Sequence, residues 1–363
     1  MEPVRCKQCI LPTDHEHTDC ITVDSQGVCN ICRAFEKRVG RFDAHNGLRR
    51  LNAIFEQTKK TAKDYHCLVP LSGGKDSCAV LDMIARRYPW ARLLAVTLDN
   101  GLLAPKAMQN AIRITQQLRV DHIVWRPERS LEVMRIFLLK TGHSCAPCEV
   151  SVLQMTNTLS QRHGIPLVAM GNSSRLDPAH PAKANPWLPP FFNAVIRDEK
   201  DADELRHGIC EPDLLYNLGA RVLTRKIRYV TLPDFVDWNP NKNQETLSKR
   251  YGLKFHGSHF DCLGSPVADW LYKRRCGFGQ KTAGLAAKVR NGLIPREQAL
   301  KQLETMDEFG KEFPLKQGRE FLKRLNLSAD QVIQASKLRP DPYLGLFFQV
   351  LTLARRIMGM TIA

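Results

Sequence analysis

No stretch of the sequence holds the roughly eighteen uncharged apolar residues that a membrane-crossing helix needs, and the opening residues, Met1-Glu2-Pro3-Val4-Arg5, contain no apolar core of a secretory leader. The expected location is therefore the cytoplasm. Acidic residues are few beside the basic ones, 37 against 53, which leaves a formal net charge of +16. That sign favours a polyanionic partner such as tRNA, a nucleotide-linked substrate or an acidic protein. The basic residues never run five or more together, however, and a generally basic surface would give the same balance. Both common nucleotide fingerprints, G-x-x-x-x-G-K-[ST] and G-x-G-x-x-G, are missing at the glycine-rich stretch of the chain, which argues against a Walker-type NTPase and a dinucleotide fold. Hydrophobic residues make up 43% and charged residues 25%, so a mainly disordered chain is excluded. A length of 363 residues leaves room for two compact units or one large domain with appendages.

What is present centres on Leu71-Ser72-Gly73-Gly74-Lys75-Asp76-Ser77. An apolar run, Cys67 to Leu71, feeds into it and a helical pattern with Val80, Leu81 and Ile84 on one face leaves it. Two glycines allow the backbone to approach an anion closely; the hydroxyls of Ser72 and Ser77, the amides of a new helix and the charge of Lys75 supply what a phosphate needs. A bare glycine turn would require neither the lysine nor the serines. S-G-G-K-D-S resembles the PP-loop of ATP pyrophosphatases, and the resemblance implies cleavage of ATP between its α and β phosphates with adenylation of a substrate oxygen.

The twelve cysteines, in a reducing compartment, favour metal ligation or thiol chemistry over disulfides. Cys6-x-x-Cys9 and Cys29-x-x-Cys32 flank a turn-rich stretch, Asp24 to Gly27, and fit a four-thiolate zinc ribbon in a segment too poor in apolar residues to fold otherwise. Cys20, with nearby His15 and His17, could substitute for one ligand but reads as a bystander. Four thiolates leave no open coordination position, so this Zn²⁺ site is expected to be structural. Cys145-Ala146-Pro147-Cys148 begins a helix between the third and fourth strands, and Cys262 lies far downstream, with Cys276 as its rival. Three thiolates with one position open would suit a 4Fe-4S cluster. A redox or persulfide-forming pair, a second zinc, and cysteines that merely pack are the other readings.

The fold expected is α/β. Apolar strands at Cys67 to Leu71, Leu93 to Leu98, His122 to Trp125 and Pro166 to Met170 alternate with amphipathic helices, the pattern of a parallel sheet covered on both faces. Ligands in such sheets sit at the carboxyl ends of the strands. That singles out three loops: Ser72 to Ser77, Asp99-Asn100-Gly101, and Gly171-Asn172-Ser173-Ser174. Residues 175 to 200, rich in proline around Trp187, Phe191 and Phe192, read as a long irregular loop, placed to act as a lid, an arm or a homodimer contact. The domain plan is a zinc ribbon over 1–42, a helical linker over 43–64, a PP-loop ATP pyrophosphatase domain over 65–260 and a helical C-terminal region over 261–363. Its terminal apolar helix, Tyr343 to Met358, is too short and too charged at Arg355 and Arg356 to span a bilayer.

With these motifs in place, the whole chain resembles the N-acetyl sugar amidotransferases of surface-polysaccharide biosynthesis. The residues that carry this are Cys6-x-x-Cys9-x-Leu11-Pro12, Gly27-Val28-Cys29-x-x-Cys32, Ser72 to Ser77 and Val96-Thr97-Leu98-Asp99-Asn100-Gly101. Asp237-Trp238, Gly277-Phe278-Gly279-x-Lys281-Thr282 and Gly292-Leu293-Ile294-Pro295-Arg296-Glu297 continue it. The resemblance implies a nucleotide-linked or lipid-linked acetamido sugar as substrate, with ammonia delivered by a partner glutaminase. A second resemblance covers the middle of the chain only: Cys145-x-x-Cys148, Met170-Gly171-Asn172 and Cys262 are similar to iron-sulfur PP-loop enzymes that thiolate tRNA, which implies a sulfur donor in place of ammonia. Both imply one first half-reaction, in which Ser72, Gly73, Gly74, Lys75, Ser77, Gly171 and Asn172 hold ATP and Asp76, with Asp99, places Mg²⁺. Arg225 and Lys226 would add positive charge or belong to a solvated face.

Overall fold

The computed structural model describes residues 4–13, 21–39, 42–172, 188–206, 209, 227–255, 261–305 and 312–338. His15, His17, Cys20, residues 173–187, Arg225, Lys226 and the helix expected over 343–358 lie outside the described residues, as does the side chain of Cys276.

Strand β1 (Cys67–Pro70) is the centre of a five-stranded parallel sheet. β2 (Leu93–Leu98) and β3 (Asp121–Trp125) lie on one side of it, β4 (Leu167–Met170) and β5 (Arg228–Thr231) on the other, in the order β3-β2-β1-β4-β5. Leu68, Val69, Leu94, Ala95 and Val96 are fully buried. Both faces of the central strands are covered, which is why their sequences run apolar without alternation. The edges differ: β3 exposes Asp121 and β5 exposes Arg228 and Tyr229, polar rims that discourage pairing with another sheet. β5 escaped the sequence reading because Arg228-Tyr229-Val230-Thr231 has one buried apolar side chain in four residues.

Helices α2 (Ala44–Thr61), α3 (Lys75–Arg87), α4 (Pro105–Leu118) and α9 (Pro240–Tyr251) pack on the face made by Cys67, Val69, Ala95 and Ala169. Phe55 of α2 stacks on Tyr88 with ring centroids 3.8 Å apart. α9 is pinned to α3 through buried Asp82, which accepts from Arg250 Nη1 at 2.7 Å and from the Tyr251 hydroxyl. The opposite face, Leu68, Leu94, Val96 and Val168, is covered by Met155 and Leu159 of α6 (Ala146–Arg162). Outside α6 stand α5 (Ser130–Thr141), α7 (Leu188–Ile196) and the short α8 (Ala202–Arg206).

The expectation of irregular chain up to residue 200 is corrected by α7. Pro189 and Pro190 fall in its first turn, where a missing amide hydrogen breaks no bond. Fully buried Phe192 then stacks on Phe137 of α5 at 5.3 Å.

Among the described residues after 261 the chain is helical: α10 (Ser265–Cys276), α11 (Gln280–Arg290), α12 (Arg296–Thr305), α13 (Leu315–Leu325) and α14 (Ala329–Ala335). α10, α13 and α14 pack on α5 through Trp270, Phe321 and Val332. The cysteine-rich N-terminal segment, which ends in α1 (Asn30–Val39), packs on α11 and α12. Ile10, Leu11, Ile21 and Ile31 share one core with Tyr272, Phe278, Leu285, Ala286 and Ala299. No described helix is long and apolar enough to cross a membrane.

Candidate nucleotide and thiol site

In an open parallel sheet, ligands bind where strand order reverses. Here that crevice opens between β1 and β4, because the chain adds β2 and β3 on one side of β1 and then returns to add β4 and β5 on the other. The loop after β1 is Leu71 to Gly74. Its anchor is Leu71, whose amide donates to the Val96 carbonyl at 2.7 Å and whose carbonyl accepts from Thr97 Oγ1 at 2.7 Å. Thr97 in turn lies 2.7 Å from His122 Nε2, and burial holds the His122 imidazole below its ordinary pKa. The loop is thus tied to β2 and β3 before any ligand arrives.

Within the loop, Ser72 Oγ and Ser77 Oγ are 3.1 Å apart, the Ser72 amide donates to Ser77 Oγ at 3.2 Å, and the Gly74 amide donates to Ser72 Oγ at 3.3 Å. Gly74 is the N-cap of α3 and offers no side chain to cap it, so the first amides of that helix and its dipole are directed at the loop. Gly73 has φ of +75°, and a Cβ there would come within 1.9 Å of the Ala107 carbonyl oxygen in α4. Only glycine fits. Gly171, at the end of β4, is also close: a Cβ would stand 3.1 Å from the Asp76 backbone, a tight contact but far looser than the one at Gly73. The two loops expected from the sequence to share a ligand therefore touch. Asn172 follows, exposed.

Lys75 Nζ pairs with Asp76 Oδ2 at 2.8 Å. Asp76 Oδ1 is buried and accepts no hydrogen bond among the described residues. A buried carboxylate oxygen without a donor fits a group that would coordinate a hard cation such as Mg²⁺. Asp99 is engaged elsewhere: its Oδ2 accepts from Arg126 Nε and Nη2 at 2.9 and 2.6 Å, and its Oδ1 accepts from the Gly101 amide at 3.2 Å.

A charged group absent from the sequence reading reaches this loop from far along the chain. Asp261 is held by the amide of Ala104, which donates to its carbonyl at 2.9 Å, and by an antiparallel bridge from Leu103 to Cys262. Its Oδ2 lies 3.0 Å from where a Cβ on Gly74 would be. The motif around it was visible, but no spacing rule links residue 75 to residue 261.

The bridge that positions Asp261 also places Cys262 beside the thiols at the start of α6. Cys145 and Cys262 each raise the pKa of Cys148, after burial as the larger cause, and burial with the neighbouring Cys145 pushes Cys262 up to about 12. The Cys148 sulfur accepts from Asn100 Nδ2 at 3.2 Å, and Cys262 Sγ accepts from the Gly264 amide at 3.3 Å. Cys145 Sγ lies 3.7 Å from Ser144 Oγ. The structure thus makes neighbours of Cys145, Cys148 and Cys262. It does not bring the three within the 4.8 Å of one another that marks a one-ion site among the described residues.

That spacing is met by Cys6, Cys9, Cys29 and Cys32, all buried. The Cys6 and Cys32 sulfurs are 3.9 Å apart and those of Cys9 and Cys29 are 3.8 Å apart. A tetrahedron with metal–sulfur bonds of ~2.3 Å has edges of about 3.8 Å. The donor set therefore fits a single tetrahedral ion. Amides support it: Cys29 N donates to Cys6 Sγ at 3.2 Å and Leu11 N to Cys9 Sγ at 3.5 Å. Cys6 is held far below the ordinary thiol range by hydrogen bonding with the Cys29 and Cys32 side chains, while the same crowding pushes Cys32 far above it. From α12, Arg296 Nε donates to the Cys9 carbonyl at 2.8 Å and Nη2 to the Cys6 carbonyl at 3.2 Å.

Sheet order, the Ser72 to Ser77 loop at the end of the central strand and a bare helix N-terminus above it together define an α/β PP-loop fold with a four-cysteine N-terminal cluster and, among the described residues, a helical C-terminal region. Residues 246–345 match the family described as LPS biosynthesis protein WbpG-like, C-terminal domain. This bears out, for that part of the chain, the resemblance to surface-polysaccharide biosynthesis. An uncharacterized protein of Methanocaldococcus jannaschii, MJ1599, is 24% identical over 285 residues, covering 78% of this chain and 88% of that protein. Among solved structures, the U34-tRNA thiolase NcsA of Methanococcus maripaludis with its [4Fe-4S] cluster has a TM-score of 0.35 at 14% identity, covering 87% of this chain and 92% of its own. The NH3-dependent NAD synthetase of Campylobacter jejuni gives 0.35 at 12% identity, covering 84% and 96%. Superpositions this loose leave the fold to rest on the sheet and the loop themselves.

Proposed function

We propose that the protein is an ATP pyrophosphatase that adenylates the carbonyl or amide oxygen of an acetamido-sugar substrate and replaces that oxygen with nitrogen. The observation that carries the reading is the position of Asp261, inside the WbpG-like region, against Gly74 of the phosphate loop. The β1 loop contributes the nucleotide chemistry, and the WbpG-like region, residues 246–345, brings Asp261 against it.

The loop amides, Ser72, Ser77 and Lys75 bind the phosphates of ATP, with Gly171 keeping the β4 loop against Asp76. Mg²⁺, held by Asp76, would neutralise phosphate charge. The substrate oxygen attacks the α phosphorus, the α–β phosphoanhydride breaks, and pyrophosphate leaves. Ammonia from a partner glutaminase then adds at the activated carbon and AMP departs with the oxygen. The enzyme's work is positioning and charge neutralisation. Cys6, Cys9, Cys29 and Cys32 would hold Zn²⁺, whose role would be structural because protein thiolates would fill all four positions. The protein acts in the cytoplasm, where ATP and a nucleotide-linked or lipid-linked sugar are available.

A second reading is favoured by one specific observation: Cys262, next to Asp261, meets Cys145 and Cys148 at the start of α6. Three partly buried thiols beside the adenylation site would hold a 4Fe-4S cluster set wider than a single ion, and sulfide would then replace ammonia as nucleophile, on tRNA or a small molecule.

Anaerobic purification separates the two. A colourless protein with one zinc that releases pyrophosphate from ATP with a nucleotide-linked acetamido sugar and ammonium supports amidation. A brown protein with iron and labile sulfide, both lost in Cys145→Ser, supports thiolation. A Lys75→Ala variant that released pyrophosphate at the wild-type rate would end both.

A further inference from the structure

We propose that His122 is a positioning residue for ATP: through Thr97 it sets the peptide plane that opens the phosphate loop, an inference that rests on the ATP reading above and extends it to a residue outside the loop.

His122 stands opposite Ala95 in the register of β3 on β2. Side chains two apart on a strand share a face, so the imidazole reaches diagonally to Thr97, one step nearer the carboxyl end of the sheet. Its Nε2 lies 2.7 Å from Thr97 Oγ1, which is itself 2.7 Å from the Leu71 carbonyl oxygen. Thr97 is fully buried. A hydroxyl has one hydrogen to donate, and a carbonyl oxygen can only accept. Thr97 therefore donates to Leu71 and accepts from His122, which assigns a hydrogen to Nε2. With Nε2 bare, one of the two contacts would set lone pairs face to face at 2.7 Å in a site closed to water.

The Leu71 carbonyl and the Ser72 amide belong to one rigid peptide plane. Holding the carbonyl toward Thr97 directs the amide the opposite way, where it donates to Ser77 Oγ at 3.2 Å. Ser77 Oγ in turn donates to the Gly74 carbonyl at 3.2 Å. Every link from His122 Nε2 to Gly74 thus runs in one direction, and hydrogen bonds in such a chain polarise one another. The Leu71 amide is fixed to the Val96 carbonyl at 2.7 Å, so the plane that follows is where side chains take over from the sheet. A tilt of that plane moves the Ser72 and Ser77 hydroxyls and the Gly74 amide, which donates to Ser72 Oγ at 3.3 Å. Those are the groups that meet phosphate in the ATP reading.

The test joins calorimetric titration of the full chain with magnesium ATP to nitrogen NMR of the imidazole. Thr97→Val and His122→Leu are each expected to weaken ATP by about fivefold or more, the loss of one buried hydrogen bond. The double variant should bind no worse than Thr97→Val alone, because His122 acts through the hydroxyl. His122→Gln carries its amide nitrogen as many bonds from the backbone as Nε2 and should stay within about twofold of the unaltered chain. His122→Asn, one bond shorter, should resemble His122→Leu. In the unaltered protein the NMR signal should place the hydrogen on Nε2. A hydrogen on Nδ1 alone overturns the proposal whether or not any variant folds. Unchanged ATP affinity in Thr97→Val or His122→Leu also overturns it, as do additive losses in the double variant or a His122→Gln no better than His122→Leu. Lys75→Ala run in parallel tells the two levels apart. If Lys75→Ala weakens ATP and the Thr97 and His122 variants do not, only the positioning role fails; if Lys75→Ala leaves ATP binding unaffected, the phosphate-loop reading itself fails.

Discussion

Replacing Gly73 by alanine tests the geometry on which the candidate site depends. The new Cβ would lie 1.9 Å from the Ala107 carbonyl oxygen, where real Cβ contacts do not fall below 3.0 Å, so α4 and the loop must part by at least about 1 Å, an overpacking cost of roughly 1–3 kcal/mol. The residue also has φ of +75°, which adds about 1–2 kcal/mol once a Cβ is present. Ala107 is fully buried and has no room to retreat. The same shift strains Asn110, whose Nδ2 donates to the Gly73 carbonyl at 3.2 Å and to the Lys254 carbonyl at 2.9 Å. The expected total is about 2–5 kcal/mol, read as a lower urea midpoint, together with loss of ATP binding. Gly292→Ala is the matched control: its φ is +67° but a Cβ there meets nothing within 4 Å, so it should cost only the conformational ~1–2 kcal/mol. If Gly73→Ala cost no more than Gly292→Ala, the close approach of α4 to the phosphate loop would be refuted.

Three further outcomes are expected. Arg296→Met removes donors to the Cys6 and Cys9 carbonyls and should weaken zinc retention against a chromogenic chelator by about tenfold or more; unchanged retention would show that α12 does not support the cluster. Asp82→Ala strands Arg250, whose side chain is 35% exposed, and should destabilise by about 2–3 kcal/mol, below the cost of a fully buried pair because water reaches the guanidinium; an unaltered melting temperature would contradict the pinning of α9. Burial lowers the His122 pKa, so the folded state prefers neutral imidazole; the associated stability is complete above about pH 6.5 and declines as pH falls through it. His122→Gln should flatten that acid limb in denaturation at pH 5.5 and 7.5, and an identical slope would remove His122 as its source.

The parts of the fold legible in advance were those encoded by local pattern. Leu93–Leu98 reads as a strand because five of its six residues are buried on two covered faces, and continuous burial leaves a continuous apolar run. β5 was invisible for the opposite reason, since an edge strand with Arg228 and Tyr229 exposed carries almost no period. The helix over Leu188–Ile196 was hidden by Pro189 and Pro190, which signal a loop unless they occupy a first turn. In the site, Ser72 to Ser77 and the four knuckle cysteines announced themselves because each motif is contiguous and each needs those residue types at that spacing.

The sequence by itself determined the phosphate loop, the parallel α/β pattern around it and a four-thiolate cluster, because these are properties of neighbouring residues and of steric rules that act within a few positions. Tertiary structure alone decided who meets that loop. Asp261 and Cys262 arrive by a bridge to Leu103, and Asp99 is drawn away to Arg126. Such contacts are set by the packing of whole faces, where burial of apolar area selects the arrangement and the charged groups follow. No local spacing records them.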